Sequence, residues 1–388
     1  MKVLAIGGSG GMGRATVRAA LTFDFISEIV VAGIDGDLAE RFVASLNDSR
    51  VRAIYLDVTD ESNLRQAIRE VDVVLNSAGP FFRFGVPILT AAIDEGKHYS
   101  DICDDWQPTV EMLKLNERAK QKGVTAVIGL GASPGIVNLL CVKAAMALDE
   151  VDTIVSAWKL SGAINDDDGF TPAVAEGHVD AAAVHLMHCL SEKIRVLRNG
   201  EAVDTMPLEH SKIDFPTLGA LDVWSLGHPE AVTLVRRFPE LQNSYNGMLG
   251  IEDIVDDLRQ VAGAVAAGQL SVDDAARTLA AEGGREARQA RLAQKEREDV
   301  PGALAYAAGR KDGHPATAGA FIKNRPAGGM ATITGIPHAL FLPLLHQGQL
   351  QKSGVFAPEE VVNPDVFFEL LGPFCGSDGA GLTVLTAN

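Results

Sequence analysis

A glycine-rich loop near the start of the chain constrains the fold more than any other feature of the sequence. The apolar residues 3–6 lead into Gly8-x-Gly10-x-x-Gly13, and the helix-forming stretch 12–21 follows. Strand, glycines and helix in this order provide a tight turn and bare backbone against which a pyrophosphate fits. The amides at the helix start would then face the phosphate charge. The predicted dinucleotide contacts in this loop are Gly7, Gly8, Ser9, Gly10, Gly11, Met12 and Gly13.

The first 130 residues repeat an alternation of short apolar runs and amphipathic stretches. After the second run, Leu38, Phe42 and Leu46 recur every four residues, as on the buried face of a helix, and Thr59 is placed to cap the next helix. Parallel strands need crossover helices of this kind. We therefore predict an α/β fold, a Rossmann doubly wound parallel sheet, whose six strands are VLAI, EIVVA, VRAIYL, VDVVLNSAG, KHYSDI and VTAVIG.

A different pattern follows residue 132 and predicts a second, α+β domain with a mixed or antiparallel sheet. Asn-Gly in IRVLRNGEAVDTM and Asp-Gly in ALAYAAGRKDGHPATAGAFI predict two hairpins, and residues 172–190 predict a helix. The predicted organisation is a Rossmann domain at 1–132, a substrate and dimerisation domain at 133–345 with a helical insert at 252–298, and C-terminal helices at 346–388 that return to the first domain.

The end of the second predicted strand bears on the choice of cofactor. Dinucleotide sites place an acid there to hold the ribose hydroxyls, whereas this strand ends at Gly33 and the acid Asp35 follows two residues later. Gly33 leaves room for a 2′-phosphate, and Asp35 would favour the unphosphorylated ribose. The sequence leaves NADP and NAD open, with a lean to NADP.

Further cofactor contacts are expected where the third and fourth strands end. The third strand ends at Asp57 and Val58, beside the expected adenine, although Asp57 is also placed to cap a helix. The fourth would carry the nicotinamide ribose on Asn76, Ser77, Ala78, Gly79 and Pro80.

Charge and cysteine content exclude several classes of protein. The net charge of −17 over 388 residues disfavours a nucleic-acid or anionic-membrane partner. The four cysteines form no C-x-x-C pair, so free thiols in a reducing compartment are expected rather than disulfides or a zinc knuckle. No signal-like start or apolar run of 18 residues is present, so a cytoplasmic protein is expected.

Several motifs occur in an order that resembles the saccharopine dehydrogenase (saccharopine reductase-like) family, whose relatives include carboxynorspermidine dehydrogenase and lysine 6-dehydrogenase. The motifs are GGSGGMG, SAGPFFRFGVPILTAAIDEGKHYSDI, IGLGASPGIVN, GHPEAVTL, MATITGIP and SGVFAPEEV, and only the helical insert at 252–298 lies outside the similarity. The resemblance implies a Rossmann domain, an inserted substrate domain, a homodimer, and hydride exchange with a C–N bond of an amino acid or its imine.

The same resemblance identifies one departure from the family pattern. The family commonly has an aspartate, associated with substrate binding, where GASPG places Ser133. A hydroxyl cannot pair with an ammonium as a carboxylate does, so another acid is needed if the substrate is similar. Asp104 and Asp105 follow the fifth strand and are the nearest candidates, although acids also favour a helix start.

Other polar residues complete the predicted site. The predicted catalytic residues are Asp104, Asp105, Lys159 and His228, and the predicted substrate contacts are Arg83, Tyr99, Ser133, Pro134, Gly135, His178 and Glu230. His228 and Glu230 could equally be structural. His185 and His188 share a helix face with metal-like spacing, but no acid or cysteine evident in the sequence completes a site, so no metal is predicted.

These observations predict an NAD(P)-dependent oxidoreductase that acts on a CH–NH bond of an amino-acid-derived substrate. The expected partners are an amino acid, or an amine with a keto acid. The nicotinamide carries the chemistry, so the absence of a Ser-His-Asp arrangement does not argue against an enzyme. The alternative is a non-catalytic NAD(P)-binding sensor or regulatory protein.

Overall fold

The protein is described by a computed structural model that covers residues 1–159, 181–280 and 297–387. Within these residues the chain forms two compact units. The first holds Met1–Ile136 and Asn324–Ala380, and the second holds the described parts of 137–323 together with 381–387. The chain therefore returns to the first unit at Asn324, earlier than the predicted position 346.

The first unit contains a seven-stranded sheet in which every neighbouring pair is parallel. Its order is β15-β6-β5-β4-β1-β2-β3, which confirms the predicted six strands and the α/β class. The strands are β1 (Lys2–Ile6), β2 (Glu28–Gly33), β3 (Val51–Tyr55), β4 (Val73–Asn76), β5 (His98–Asp101), β6 (Thr125–Val127) and β15 (Gly354–Phe356).

The strand order fixes where a ligand can bind. The chain runs from β1 outward through β2 to β3 and then crosses to β4 on the other side of β1. The carboxyl ends of β1 and β4 therefore flank the crevice in which doubly wound sheets bind their ligands.

Helices cover this sheet because each presents an apolar face to it. Leu64 and Ile68 of the third helix, for example, are buried among the side chains of the strands. The helices are α1 (Gly11–Ala20), α2 (Gly36–Leu46), α3 (Glu61–Arg69), α4 (Phe81–Asp94), α5 (Trp106–Leu113), α6 (Asn116–Gln121), α12 (Gly329–Ala339), α13 (Phe341–His346), α14 (Pro358–Val361) and α15 (Pro364–Leu371).

The start of α3 differs from the sequence prediction. Asp60, not Thr59, is the capping residue, and its carboxylate accepts a hydrogen bond from the Asn63 N–H at 3.1 Å. Thr59 lies in the preceding turn because its N–H and hydroxyl both donate to Asp57 Oδ1, at 2.8 and 2.7 Å.

The second unit contains a mixed sheet, as predicted. Its main path is β10-β11-β12-β7-β13-β14-β16, and β8 pairs with both β12 and β9. Only the pair β7 and β12 is parallel among these strands. The strands are β7 (Glu150–Lys159), β8 (Ile194–Arg198), β9 (Glu201–Thr205), β10 (His210–Phe215), β11 (Gly219–Leu226), β12 (Asn243–Leu249), β13 (Ala303–Lys311), β14 (His314–Ile322) and β16 (Leu382–Ala387).

Both predicted hairpins are present. At their turns, Asn199 and Gly200 have φ of 50° and 78°, and Asp312 and Gly313 have φ of 50° and 77°. Two consecutive positive values are typical of the type I′ turn that matches strand twist. The described helices are α7 (Ile136–Ala145), α8 (Ala181–Ser191), α9 (Glu230–Arg237), α10 (Glu252–Ala266) and α11 (Val272–Ala280). The rest of the predicted helices at 172–190 and 252–298 lies largely outside the described residues.

Two short strands occur where the sequence predicted only C-terminal helices. Residues 354–356 extend the first sheet beside β6, and residues 382–387 pair with β14 in the second. The prediction for 346–388 is corrected accordingly. A three-residue strand has too few positions to show an apolar period, so β15 gave no sequence signal.

Helix α12 packs closely on α1, and Gly335 makes this possible. A Cβ atom at Gly335 would lie 2.4 Å from Met12 O and 2.8 Å from Ala15 Cβ. Any side chain at Gly335 would therefore push α12 away from the helix that follows the glycine loop.

We predict that Gly335→Ala lowers the free energy of unfolding by about 1–3 kcal/mol, because the methyl overpacks the contact between the helices. Gly263→Ala is the matched control, since Gly263 is an exposed glycine inside α10 and a Cβ there meets no atom within 4 Å. The control should be more stable than wild type by up to about 1 kcal/mol. Chemical denaturation followed by circular dichroism measures both, and equal effects of the two substitutions would contradict the prediction.

Candidate active site

The glycine loop is held by close backbone contacts. Gly7 has φ of 73°, and a Cβ there would lie 2.8 Å from Ala78 N, beyond the end of β4. A Cβ at Gly13 would lie 2.1 Å from Gly7 O. These two glycines are required by the packing of the loop against α1 and the β4 end, whether or not a ligand is bound.

The packing of the loop does not require glycine at positions 10 and 11. A Cβ at Gly10 meets only Gly7 O, at 3.2 Å, and a Cβ at Gly11 meets no atom within 4 Å. The first turn of α1 closes with Arg14 N–H donating to Gly10 O at 2.9 Å, so the amides of residues 11–13 point out of the helix end, while the Gly10 N–H donates to Gly7 O at 2.9 Å. Open space in front of such amides fits a phosphate.

The side chain of Arg14 lies under this loop. It is 2% exposed, and its Nη1 donates to Ser9 O at 2.9 Å. The guanidinium therefore fixes the loop backbone and adds positive charge where an anion would bind. Sequence analysis missed Arg14 because a basic residue in a helix normally indicates an exposed face.

The predicted contacts after β4 lie beside the glycine loop. Ser77 donates to Ile6 O through both its N–H, at 2.9 Å, and its hydroxyl, at 3.1 Å. Asn76 is fully buried, and its Oδ1 accepts a hydrogen bond from the Ala78 N–H at 3.0 Å. Side chains thus set the path of the segment that carries the predicted nicotinamide ribose contacts.

A buried polar network joins the ends of β4, β5 and β6. Asn76 Nδ2 donates to Tyr99 OH at 3.1 Å, and Tyr99 OH donates to Asp101 Oδ2 at 2.8 Å. Asp101 Oδ1 accepts from the N–H groups of Cys103 and Gly129 at 3.0 and 2.8 Å. Tyr99, predicted to contact substrate, is instead fully buried with its hydroxyl in this network.

Burial shifts the ionisation of the groups around this network. It raises the pKa of Asp101 from 3.8 to about 6, because the bonds from Gly129, Cys103 and Tyr99 only partly replace lost hydration. It lowers the pKa of His338 to about 4, and this neutral imidazole donates from Nε2 to Ser100 O at 3.0 Å. Neither residue was singled out from the sequence, where Asp101 ends the fifth strand and Asp104 and Asp105 follow it.

Two acids follow β2 and β3 at the edge predicted to bind adenosine, and both accept local backbone hydrogen bonds. Asp35 caps α2 by accepting from the Leu38 N–H at 2.8 Å, and Asp57 accepts both bonds from Thr59, which lower its pKa. Both acids thus have local structural roles at the positions predicted to contact cofactor. Ile34 and Tyr55 lie at the same edge and are 64% and 65% exposed, an apolar surface that the sequence analysis did not identify.

The loop after β5 carries two predicted catalytic acids, and the loop after β6 carries three predicted substrate contacts, Ser133, Pro134 and Gly135. Asp104 is half-buried and Asp105 is 9% exposed, and the Asp105 carbonyl accepts the first bonds of α5 from Thr109. In the second loop Gly135 has φ of 121°, and a Cβ there would lie 2.0 Å from Gly131 O. Ser133 and Pro134 are held in this turn, which closes with Gly131 N–H donating to Pro134 O at 2.9 Å.

A second group of predicted residues lies in the second unit. Glu230 is fully buried at the start of α9, and Asn246 Nδ2 donates to Glu230 Oε1 at 3.3 Å and to Ser156 Oγ at 3.0 Å. Glu230 Oε2 lies 3.7 Å from His228 Nδ1. Burial, with the neighbouring His185, lowers the pKa of His228 well below its ordinary value, so the imidazole is neutral.

The other predicted residues are placed apart from these two groups or outside the described chain. Lys159 Nζ donates to Arg297 O at 2.6 Å, and the exposed Arg83 guanidinium lies over the Phe84 ring at the start of α4. His188 Nδ1 lies 2.8 Å from Glu192 Oε1. His178 falls outside the described residues.

Comparison with known proteins agrees with the nucleotide-binding geometry. Residues 3–127 match the family model for the saccharopine dehydrogenase NADP binding domain. The chain is 23% identical to carboxyaminopropylagmatine dehydrogenase from Synechocystis, over 96% of each chain. It is 30% identical to carboxynorspermidine synthase from Vibrio cholerae, over 40% of this chain and 42% of that protein. Saccharopine dehydrogenase [NADP(+), L-glutamate-forming] from Schizosaccharomyces pombe is 31% identical over 27% of this chain and 22% of that one.

Comparison of structures extends the agreement to the whole fold. Apo saccharopine dehydrogenase (L-Glu forming) from Saccharomyces cerevisiae matches with a TM-score of 0.66, over all of both chains. The sequence identity is 16%, so the match establishes the fold alone. The predicted Rossmann domain followed by a second domain with a mixed sheet is confirmed.

We predict that the buried carboxyl of Asp101 makes stability fall as pH rises from about 4 to about 6. The folded chain holds this proton to higher pH than the unfolded chain, so it binds more protons within that window. A shift from 3.8 to about 6 corresponds to about 3 kcal/mol. Asp101→Asn stays neutral, so its free energy of unfolding relative to wild type should rise by up to this amount between pH 4 and pH 7.

Urea denaturation at a series of pH values measures the difference. Asp37→Asn, at an exposed position of α2, is the control and should show no comparable rise. A difference between Asp101→Asn and wild type that is independent of pH would refute the prediction.

Proposed function

We propose that this protein is an NADP-dependent oxidoreductase that acts on a CH–NH bond of an amino-acid-derived substrate, because residues 3–127 match the family model for the saccharopine dehydrogenase NADP binding domain. The observation that carries the proposal is the open backbone at Gly10 and Gly11, in the crevice between β1 and β4. A nicotinamide bound there supplies or accepts the hydride. The protein's own part is to bind and orient the reactants and to exclude water.

The choice of NADP rests on the family and on the charge of the loop. The matching model is that of an NADP-binding domain, and the Arg14 guanidinium lies against the loop backbone. Asp35 accepts a helix-capping bond and need not contact the ribose. The lean to NADP made from Gly33 therefore has support from the family match.

The names of the similar proteins point to a class of substrate. Saccharopine, carboxynorspermidine and carboxyaminopropylagmatine are all amines that carry a carboxyl group. We infer that this protein joins an amine to a carbonyl compound, or cleaves the product. In the reductive direction, loss of water gives an imine, its carbon receives hydride, and its nitrogen receives a proton.

Of the two predicted acids after β5, we propose that Asp104 contacts the substrate. It follows β5 at the carboxyl edge of the sheet, which is the edge that carries the cleft, and it is more exposed than Asp105. A half-buried carboxylate at this edge would pair with a substrate ammonium, which Ser133 cannot do. Lys159 and His228 remain predicted catalytic residues, and Arg83, His178 and Glu230 remain predicted substrate contacts.

The assembly and location of the protein are also proposals. We propose a homodimer in the cytoplasm, as predicted from the sequence, and both are consistent with the proposed dehydrogenase function. No helix in the described ranges is both long and apolar enough to cross a bilayer.

We predict that Gly10→Ala weakens NADPH binding at least about tenfold, or about 1.4 kcal/mol, because the methyl occupies the space in front of the loop backbone. The fold should persist, since the added Cβ meets only Gly7 O, at 3.2 Å. Gly263→Ala is the control, because Gly263 is an exposed glycine of α10 in the second unit and a Cβ there meets no atom within 4 Å. Fluorescence titration with NADPH measures affinity, and wild-type affinity in Gly10→Ala would overturn the site.

The catalytic proposal is tested by NADPH oxidation with a panel of amines combined with keto acids or aldehydes, and by NADP⁺ reduction with saccharopine. We expect turnover of at least one carboxylated amine and poor turnover of saccharopine itself, because Ser133 replaces the family aspartate. NADPH binding without turnover of any panel member would favour the sensor alternative.

With the substrate found in that panel, we predict that Asp104→Asn lowers kcat/KM by about tenfold or more, as for a lost charge-assisted contact. NADPH affinity should not change. Glu111→Gln is the control, because Glu111 lies on α5 in an exposed pair with Lys114. Equal kinetic parameters for Asp104→Asn and Glu111→Gln would show that Asp104 only begins a helix.

A further inference from the structure

Three side chains of metal-binding type converge in the second unit. His185 and Cys189 lie one turn apart on α8, and His228 follows β11. His185 Nε2 lies 3.2 Å from His228 Nε2 and 3.2 Å from Cys189 Sγ. All three donor atoms lie within 4.8 Å of one another. The i, i+4 spacing on the helix places His185 and Cys189 on one face, toward His228.

We propose that His185, Cys189 and His228 form a zinc site. Tetrahedral zinc has Zn–N bonds of about 2.0–2.1 Å and Zn–S bonds of about 2.3 Å, which place two nitrogens about 3.3 Å apart and nitrogen and sulfur about 3.6 Å apart. The observed separations are 3.2 Å for both pairs. All three donor separations lie within 4.8 Å, so an ion reaches the three atoms once their side chains adjust to these distances.

The donor set selects the type of metal. One thiolate with two imidazoles suits zinc, whereas magnesium and calcium prefer oxygen ligands. Cys189 Sγ also lies 3.0 Å from Gly227 O, to which the thiol can donate its proton. Binding would release that proton to solvent and leave the thiolate on the metal.

The surroundings of the three residues are those of a metal ligand set. His228 Nδ1 lies 3.7 Å from the buried carboxylate of Glu230, on the side of the ring away from His185. Metal-bound histidines characteristically direct their second nitrogen to a carboxylate or carbonyl, and Glu230 could take this role by closing the 3.7 Å separation to hydrogen-bond distance. The Trp158 ring lies 5.9 Å from the His228 ring between centroids and shields it further.

Burial differs among the three residues. Cys189 is 4% exposed and His228 is 6% exposed, whereas His185 is half-buried. The cluster is therefore most enclosed on the His228 side. Three protein ligands leave the fourth position of a tetrahedral zinc ion to water, a small anion or a further side chain. This site goes beyond the proposed dehydrogenase activity, because zinc binding needs neither the dinucleotide nor its loop, and it would make His228 a metal ligand rather than a catalytic residue.

Zinc content tests the proposal directly. The full chain is loaded with zinc chloride, desalted, and analysed by mass spectrometry of the metal. We expect about one zinc per chain in wild type and in His188→Gln, and much less in His185→Gln and Cys189→Ser. His188 is the matched control, because it lies on the same helix but pairs with Glu192.

Cobalt provides a second readout that does not depend on activity. Wild type loaded with Co²⁺ should show a thiolate-to-cobalt band and the visible bands of tetrahedral cobalt, and Cys189→Ser should lack the first. Circular dichroism verifies that each variant is folded. If Cys189→Ser does not fold, the zinc content of His185→Gln, at a half-buried position, decides the test. Wild type that retains no zinc, or folded His185→Gln that retains a full equivalent, would overturn the proposal.

Discussion

The carboxylate of Asp101 holds together the part of the first unit on which the proposed chemistry depends. One oxygen accepts backbone bonds from the segments after β5 and β6, and the other accepts the Tyr99 hydroxyl, which in turn receives a bond from Asn76 at the end of β4. Three neighbouring strand ends are thus joined by one buried acid. Removing any partner would leave a buried polar group unsatisfied, so the network specifies the loop geometry as a unit.

A second buried contact supports the same edge from the helical side. His338 on α12 donates to Ser100 O in β5, and its Nδ1 lies 3.5 Å from the Thr16 hydroxyl on α1. Gly335, one turn earlier on α12, allows the two helices to approach. The helix that presents its N-terminus to the proposed phosphate site is therefore braced by α12, which comes from a distant part of the sequence.

Local signals were enough to predict the architecture from sequence. Glycine spacing, apolar runs and turn dipeptides act over a few residues, and they identified the six strands and both hairpins. The cofactor loop was predictable for the same reason, because Gly8, Gly10 and Gly13 adjoin both the strand and the helix. The predicted helix cap at Thr59 was wrong although its signal is local. Asp57 accepts the Thr59 N–H, and Asp60 caps the helix instead.

The remaining site features depend on contacts between distant residues, which spacing does not reveal. The loop after β6 is held by Asp101, which accepts a hydrogen bond from the Gly129 N–H, 28 positions later in the sequence. His185 and Cys189 are four positions apart on α8, but His228 is 39 positions beyond Cys189, so the sequence did not indicate that the three side chains meet. Tyr99 was assigned to substrate on motif similarity, whereas burial directs its hydroxyl inward. In each case tertiary packing, not local propensity, decides what the side chain contacts.

The pairing of β16 with β14 has a consequence for biosynthesis. Leu382–Ala387 covers one edge of a sheet whose other strands end at Ile322. While the intervening residues are being translated, the unpaired N–H and C=O groups of β14 form an open edge, and such edges recruit strands from other chains. Completion of this sheet must therefore wait until residues 382–387 leave the ribosome. During that interval the edge of β14 is open to association with other chains.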